Sequence, residues 1–155
     1  MKASNASSKK KTRTAAPRAA VAQTAPFTNL RFAVGVEGLQ DTAAVEVVFP
    51  VARIVTAPRQ RRRVQFEPLV IRRGLTASTE WYDWWHAARR ATRVVLKRRV
   101  TVVLHKDDGS EGVRWFFPDS VPVSYALSPL NALAGAAVIE SLELQVGGFE
   151  LFRRE

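Results

Sequence analysis

Hydrophobic residues recur at every second position through most of this chain, and at helical spacing in one stretch. Leu30, Phe32, Val34 and Val36 alternate with Asn29, Arg31, Ala33 and Gly35, the period of a half-buried strand, and Gly38 is placed to end it. Val45 to Val55 is dense in Val and Ile but carries Pro50 near its centre. Proline removes a ladder donor, so this segment is predicted as two short strands or as an edge strand with a bulge. Val64, Phe66, Pro68, Val70 and Arg72 share one face of the next predicted strand, with Gln65, Glu67, Leu69 and Ile71 on the other.

The period then changes. Trp81, Trp84, Trp85 and Ala88 fall on one stripe of a helix, which Ser78 or Thr79 can cap and which runs to about Arg90. Glu80 and Asp83 stand in its first turns and Arg89 and Arg90 in its last, the order that complements the helix dipole. Aromatic side chains can stack bases or sugars, but at this spacing beside strands the stripe reads as core. Val100, Val102 and Leu104 return to the strand period. Asp107-Asp108-Gly109 supplies a turn, and Gly112 to Phe117 is its hairpin partner. Pro118 and Pro122 are expected to break that ladder, and Ser128 to Leu133 reads as a short helical turn or loop. Leu142, Leu144 and Val146 mark one face of a strand from Ile139. Gly147-Gly148 permits a turn into a last short strand at Phe149 and Leu151.

Composition narrows the function. A chain of 155 residues is one domain, or one domain plus a tail. It has no cysteine, which excludes disulfides, zinc–cysteine sites and thiol nucleophiles and fits a reducing compartment. No apolar run approaches the ~18 residues needed to span a bilayer, and no apolar h-region marks a secretory signal. The net charge is +10, and six of the lysines and arginines lie within residues 1–25, which hold no acid. Residues 1–26 are rich in Ala, Ser, Thr and Lys. They cannot bury enough apolar area to offset their ordering entropy, so they are predicted to be a disordered basic arm, with the folded β domain at 27–155. The arm could touch nucleic acid or an anionic surface. Without interleaved aromatics it reads more simply as a solvated tail.

Candidate chemistry is sparse. His86 and His105 are the only histidines, and neither has a second ligand at metal spacing on its own element. Asp107, Asp108 and Glu111 lack the alternating oxygen ligands of a calcium loop. No Walker loop, Gly-x-Ser-x-Gly or GxGxxG is present. The reading is therefore not an enzyme, with no cofactor, metal or small-molecule substrate. The basic clusters Arg59, Arg61, Arg62 and Arg63, Arg72-Arg73 and Lys97-Arg98-Arg99 suggest nucleic acid when taken alone, and intersubunit ion pairs or solvated loops otherwise. Glu140 shares a face with Leu142, Leu144 and Val146. A buried acid needs a partner, and Arg72 or Arg73 would serve.

The ordered set Leu69-Val70-Ile71-Arg72-Arg73-Gly74, Trp81-Tyr82-Asp83-Trp84-Trp85, Asp107-Asp108-Gly109, Val113-Arg114-Trp115, Val121-Pro122-Val123 and Val138 to Leu144 followed by Gly148-Phe149 resembles the tail tube proteins of contractile phages and phage-tail-like injection particles. The resemblance covers roughly Leu30 to Leu151. It implies a mainly β fold, a β-sandwich or small barrel with one flanking α-helix, whose strands join the continuous inner barrel of a hexameric ring. It implies stacked rings forming a conduit for DNA or effectors, with the tail sheath and baseplate as partners. The setting would be a virion tail or injection particle assembled in the bacterial cytoplasm, with no membrane contact. Closing sheets across subunits removes exposed edges, the main liability of an open β domain. Arg59, Arg61, Arg62 and Arg63 against Asp107 and Asp108 are the expected ring-stacking contacts, provided the two loops lie at opposite ends of the subunit. A tube initiator, tube terminator or baseplate protein of the same fold is the alternative, and a basic nucleic-acid-binding module the second.

Overall fold

Nine strands and one helix form among residues 26–40, 42–59 and 61–154, which this computed structural model describes. The expected basic arm at 1–25 lies outside the described residues. The strands are β1 (Phe32–Val36), β2 (Glu46–Val48), β3 (Ala52–Val55), β4 (Arg63–Phe66), β5 (Leu69–Gly74), β6 (Arg98–His105), β7 (Glu111–Leu127), β8 (Ile139–Val146) and β9 (Glu150–Arg153). The helix, α1 (Glu80–Arg90), lies between β5 and β6. Every pairing is antiparallel. The main sheet runs β1-β6-β7-β8-β5-β2, with β9 also on β7, and β3 pairs with β4.

The alternation predicted from sequence becomes one continuous inner face. Val34 and Val36 of β1, Val100 and Val102 of β6, Phe117 of β7, Leu142, Leu144 and Val146 of β8, and Leu69 and Ile71 of β5 form a single core with Trp81 and Trp84 of α1. The sheet curls over this core. Phe49, just after β2, packs on Trp115 of β7 at 4.7 Å between ring centroids. The curl stops short of closure, because β1 and β2 do not pair with each other. Of the two forms expected, sandwich or small barrel, the protein takes an open, curled sheet with the helix against it.

Four expectations are corrected, three of them where proline or glycine meets the ladder. Leu30 is outside β1 and exposed. The strand expected through Val64–Arg72 is two strands divided at Glu67-Pro68, and the inward face switches there, from Phe66 to Leu69 and Ile71. The pairing of β3 with β4 continues the register of β2 with β5. Residues 45–73 are therefore one long hairpin. That register sets Pro50 opposite Pro68, where neither strand has an N–H to give. Pro118 and Pro122 do not end β7, which is 17 residues long. They sit at register shifts, between Arg98 and Val100 of β6 and between Pro122 and Ser124, and a bulge absorbs what a regular ladder could not. Gly147-Gly148 makes no reversal: β9 pairs with β7 in the register that β8 already holds.

Candidate assembly surfaces

α1 is held from both sides. The Thr79 carbonyl accepts from Asp83 N at 2.8 Å, and Thr79 Oγ1 donates to Asp83 Oδ2 at 2.7 Å. Gln40 N donates to the Glu80 carboxylate at 3.1 Å. Trp81 and Trp84 are buried, whereas Trp85 and Ala88 are only half-buried. The stripe thus turns from core to rim along the helix. Trp84 Nε1 donates to the Leu96 carbonyl at 3.0 Å, so the polar edge of a core ring is satisfied by the loop leading into β6. Trp85 stacks on Tyr125 of β7 at 5.9 Å, and Tyr82 stacks on His86 at 5.5 Å.

Beside Trp81 lies the ion pair sought for Glu140. Arg73 Nε donates to Glu140 Oε1, both side chains being almost completely buried. Register decides which arginine serves, since Arg73 stands opposite Glu140 across β5–β8. Arg72 points to the other face and bonds Glu46. The Arg73 guanidinium also lies 4.3 Å over the Trp81 ring. Tyr125 OH donates to Glu140 Oε2 at 2.9 Å. Burial, then the bond to Glu140, pushes the Tyr125 hydroxyl pKa up to about 12. Sequence reasoning missed Tyr125, because its contact depends on the bulge after Pro122 that shifts β7 by one residue.

The opposite face of the sheet carries charges already paired: Arg72 with Glu46, Arg99 with Glu37 at 2.6 Å, and Arg114 with Glu111 at 2.6 Å. The Arg99 hydrogen bond holds the Glu37 carboxyl below its usual range. Arg61, Arg62 and Arg63 are exposed at the end of the long hairpin, where Arg59 takes a positive φ of 65°. The acidic turn is different, because its carboxylate is engaged locally. Ser110 N and Oγ both donate to Asp108 Oδ1, at 2.8 and 2.6 Å, and hold that carboxyl below its ordinary range. Arg31 Nη1 donates to the Asp107 carbonyl at 2.6 Å. In strand sense β3 runs with β6, toward the turn that follows it. The arginine tip and Asp107–Gly109 are thus not placed at opposite ends of the sheet. His105 Nδ1 lies 3.2 Å from the Gly109 carbonyl, and no group of three or more metal-ligating side chains forms among the described residues. No helix there is long and apolar enough to cross a membrane.

A family model described as T4-like virus tail tube protein gp19 matches residues 28–150. Among solved structures, the chain is similar to one from the sheath/tube terminator of an extracellular contractile injection system in its extended state. There the TM-score is 0.69 at 20% identity over 84% of this chain and 99% of that one. It is similar also to a chain of the anti-feeding prophage baseplate (TM-score 0.60, 18% identity, 84% and 97% covered). Hcp1 from Flavobacterium johnsoniae is a third such structure (TM-score 0.56, 16% identity, 79% and 98% covered). No curated protein matches. At these identities the structural likenesses establish the fold.

Proposed function

The chain belongs to the T4-like virus tail tube protein family, and on that premise we propose that six copies close into a ring and that rings stack into the conduit of a contractile tail. The protein is a structural subunit of such a tail tube, a component of a phage tail or injection particle. The finer reading is that the ring closes through strand edges, that the tube carries DNA or effectors, that sheath and baseplate proteins are its partners, and that it assembles in the bacterial cytoplasm without catalysing a reaction. The observation that carries the ring is the open sheet. β1 and β2 each pair on one side only, and an exposed edge is a template for another chain. Joining edges between copies around a closed symmetry leaves none exposed. Negative-stain microscopy of the purified protein tests this directly: rings and tubes are expected, and a monomer at high concentration with tight, salt-dependent DNA binding would sink the reading.

The exposed arginines at 61–63 are proposed as a ring-to-ring contact. Each surface ion pair is worth only ~0–1 kcal/mol, but a ring repeats it at every subunit. Tube length should therefore fall as salt rises, while ring closure through backbone pairing should not. Reversing Arg61, Arg62 and Arg63 to Glu is expected to leave single rings, and tubes of normal length from that variant would remove the arginines from the contact.

The arm is proposed to lie outside the core. Deleting residues 1–25 is expected to leave the thermal midpoint unchanged. A truncated chain that fails to fold would move the domain boundary. A folded chain that no longer assembles would place the arm in a contact between subunits or with the sheath.

A further inference from the structure

We propose that the basic loop between α1 and β6 of one copy stacks on the β6–β7 turn of a copy in the next ring. This deepens the tube reading and rests on it. Between Asp83 and Asp107 the chain carries seven lysines and arginines and no acid. Four of them, Arg89, Arg90, Arg93 and Lys97, stand exposed at the end of α1 and along the loop that follows. On the sheet, Arg53, Arg72, Arg99 and Arg114 each have a carboxylate partner, whereas these four form no ion pair among the described residues. Among the cations, Val94 is 85% exposed and Leu96 56%. Exposed apolar side chains grouped within a charged rim are the mark of an interaction site. The loop is also held in place. Trp84 Nε1 donates to the Leu96 carbonyl, Arg98 Nη1 donates to the Glu37 carbonyl at 2.6 Å, and the Arg98 guanidinium lies 5.5 Å over the Trp84 ring. A preset loop loses little conformational freedom when it docks.

The complementary surface stands at the other end of β6. That strand is extended and paired on both sides, against β1 and β7. Its first and last residues, Arg98 and His105, are therefore about 23 Å apart at about 3.3 Å per residue. The loop precedes Arg98 and the turn Asp107–Gly109 follows His105, so the two do not meet within one subunit. Asp107 and Asp108 are exposed and form no ion pair among the described residues. Arg31 reaches the Asp107 carbonyl, not its carboxylate, and the bonds from Ser110 hold Asp108 ionised. Two apolar side chains accompany them. β1 is antiparallel to β6, and His105 N donates to the Arg31 carbonyl at 2.8 Å, which puts Leu30, 83% exposed, beside the turn. The Phe27 ring, 48% exposed, lies against Gly112 just past it. The loop thus offers two apolar side chains among cations, and the turn offers two beside open carboxylates. Nucleic acid would meet the cations and leave Val94 and Leu96 uncovered, since interfaces with it are polar; a second copy covers both. Ring closure joins strand edges and runs across the strands, whereas this contact joins strand ends and runs along them. A contact between two different surfaces of the same chain is head-to-tail and repeats from copy to copy, as stacked rings require.

The absence of native cysteine makes the test clean. A chain carrying both Val94→Cys and Leu30→Cys, oxidised in the assembled state, is expected to give a ladder of covalent oligomers well beyond the dimer, where either single variant stops. In the cysteine-free background, Arg93→Glu with Lys97→Glu is expected to leave single rings. The stacked fraction should fall at least about tenfold, because the contact is lost at every subunit of a ring at once. Adding Asp107→Lys to that chain is expected to restore much of the stacking. Tubes that form without a ladder, a reversed-charge variant that stacks normally, or no recovery with Asp107→Lys overturn this contact and leave the tube reading standing. A reversed-charge variant that stacks normally but no longer binds a short DNA duplex would give the loop to nucleic acid, and also overturns it. Loss of rings as well as stacks, with the melting midpoint unchanged, would make the contact lateral and likewise overturns the stacking. Wild-type protein that stays monomeric removes the tube reading and the contact together.

Discussion

Trp81→Ala is expected to destabilise the folded subunit by about 3–5 kcal/mol, the range for truncating a fully buried aromatic side chain. Trp81 has no exposed surface and stands in the core beside the buried Arg73–Glu140 pair. The substitution removes the transfer free energy of an indole and leaves a hole that the stiff sheet behind it cannot fill. It also strips the ring from the Arg73 guanidinium, so a buried cation loses part of what offsets its burial. Trp84→Ala should cost about as much, since that ring is buried as well and its Nε1 ties down the loop at Leu96. Trp85→Ala should cost less, because the ring is half-buried at the rim on Tyr125. Urea unfolding of the three variants reads the order. An unchanged midpoint for Trp81→Ala would mean that the helix does not pack as described.

That order was half legible in the sequence. Helical spacing put Trp81, Trp84, Trp85 and Ala88 on one stripe, but spacing cannot say how far along the stripe the sheet extends. The same holds for the strands. Alternation located most of them, because a strand with one buried face must alternate. What alternation cannot register is a change of parity. Pro50 and Pro68 interrupt a single hairpin and switch its inward face, and the bulges near Pro118 and Pro122 shift partners without ending β7. The sequence reads Pro118 and Pro122 as breaks, Pro50 as a break or a bulge and Pro68 as an ordinary strand position, although a proline whose missing N–H falls at a bulge costs the ladder nothing more. Ser128 to Leu133 reads as a short helical turn or loop, and spacing alone gives no sign that Leu130 and Leu133 stay exposed. Candidate contacts between subunits are the least legible of all, since a single chain does not contain its neighbour.

The remaining prediction concerns Glu140, which the sequence marks as a buried acid in need of an arginine and whose partner register fixes as Arg73. Glu140→Ala is expected to cost about 3–5 kcal/mol, the penalty for leaving one member of a buried ion pair without its partner. Arg73→Ala should cost a similar amount for the same reason. Replacing both at once, by Arg73→Met and Glu140→Leu, should recover most of the loss, because two apolar side chains of similar volume need no partner there. Costs that simply add would show that the two residues are not coupled. Tyr125 supplies a separate readout in alkali. Its folded pKa of about 12 lies above its ordinary 10.0. The folded state therefore holds the hydroxyl proton more tightly than the unfolded state, and the stability from this bond is full below pH 10 and lost as pH rises through about 12. Tyr125→Phe should thus lower stability at neutral pH, by about 1.5–3 kcal/mol for a hydrogen bond to a charged acceptor. The gap between it and the wild type should narrow across that alkaline window. A gap that stays constant from neutral pH to pH 12 would mean that Tyr125 does not donate to Glu140, and the pair would then rest on Arg73 and the Trp81 ring alone.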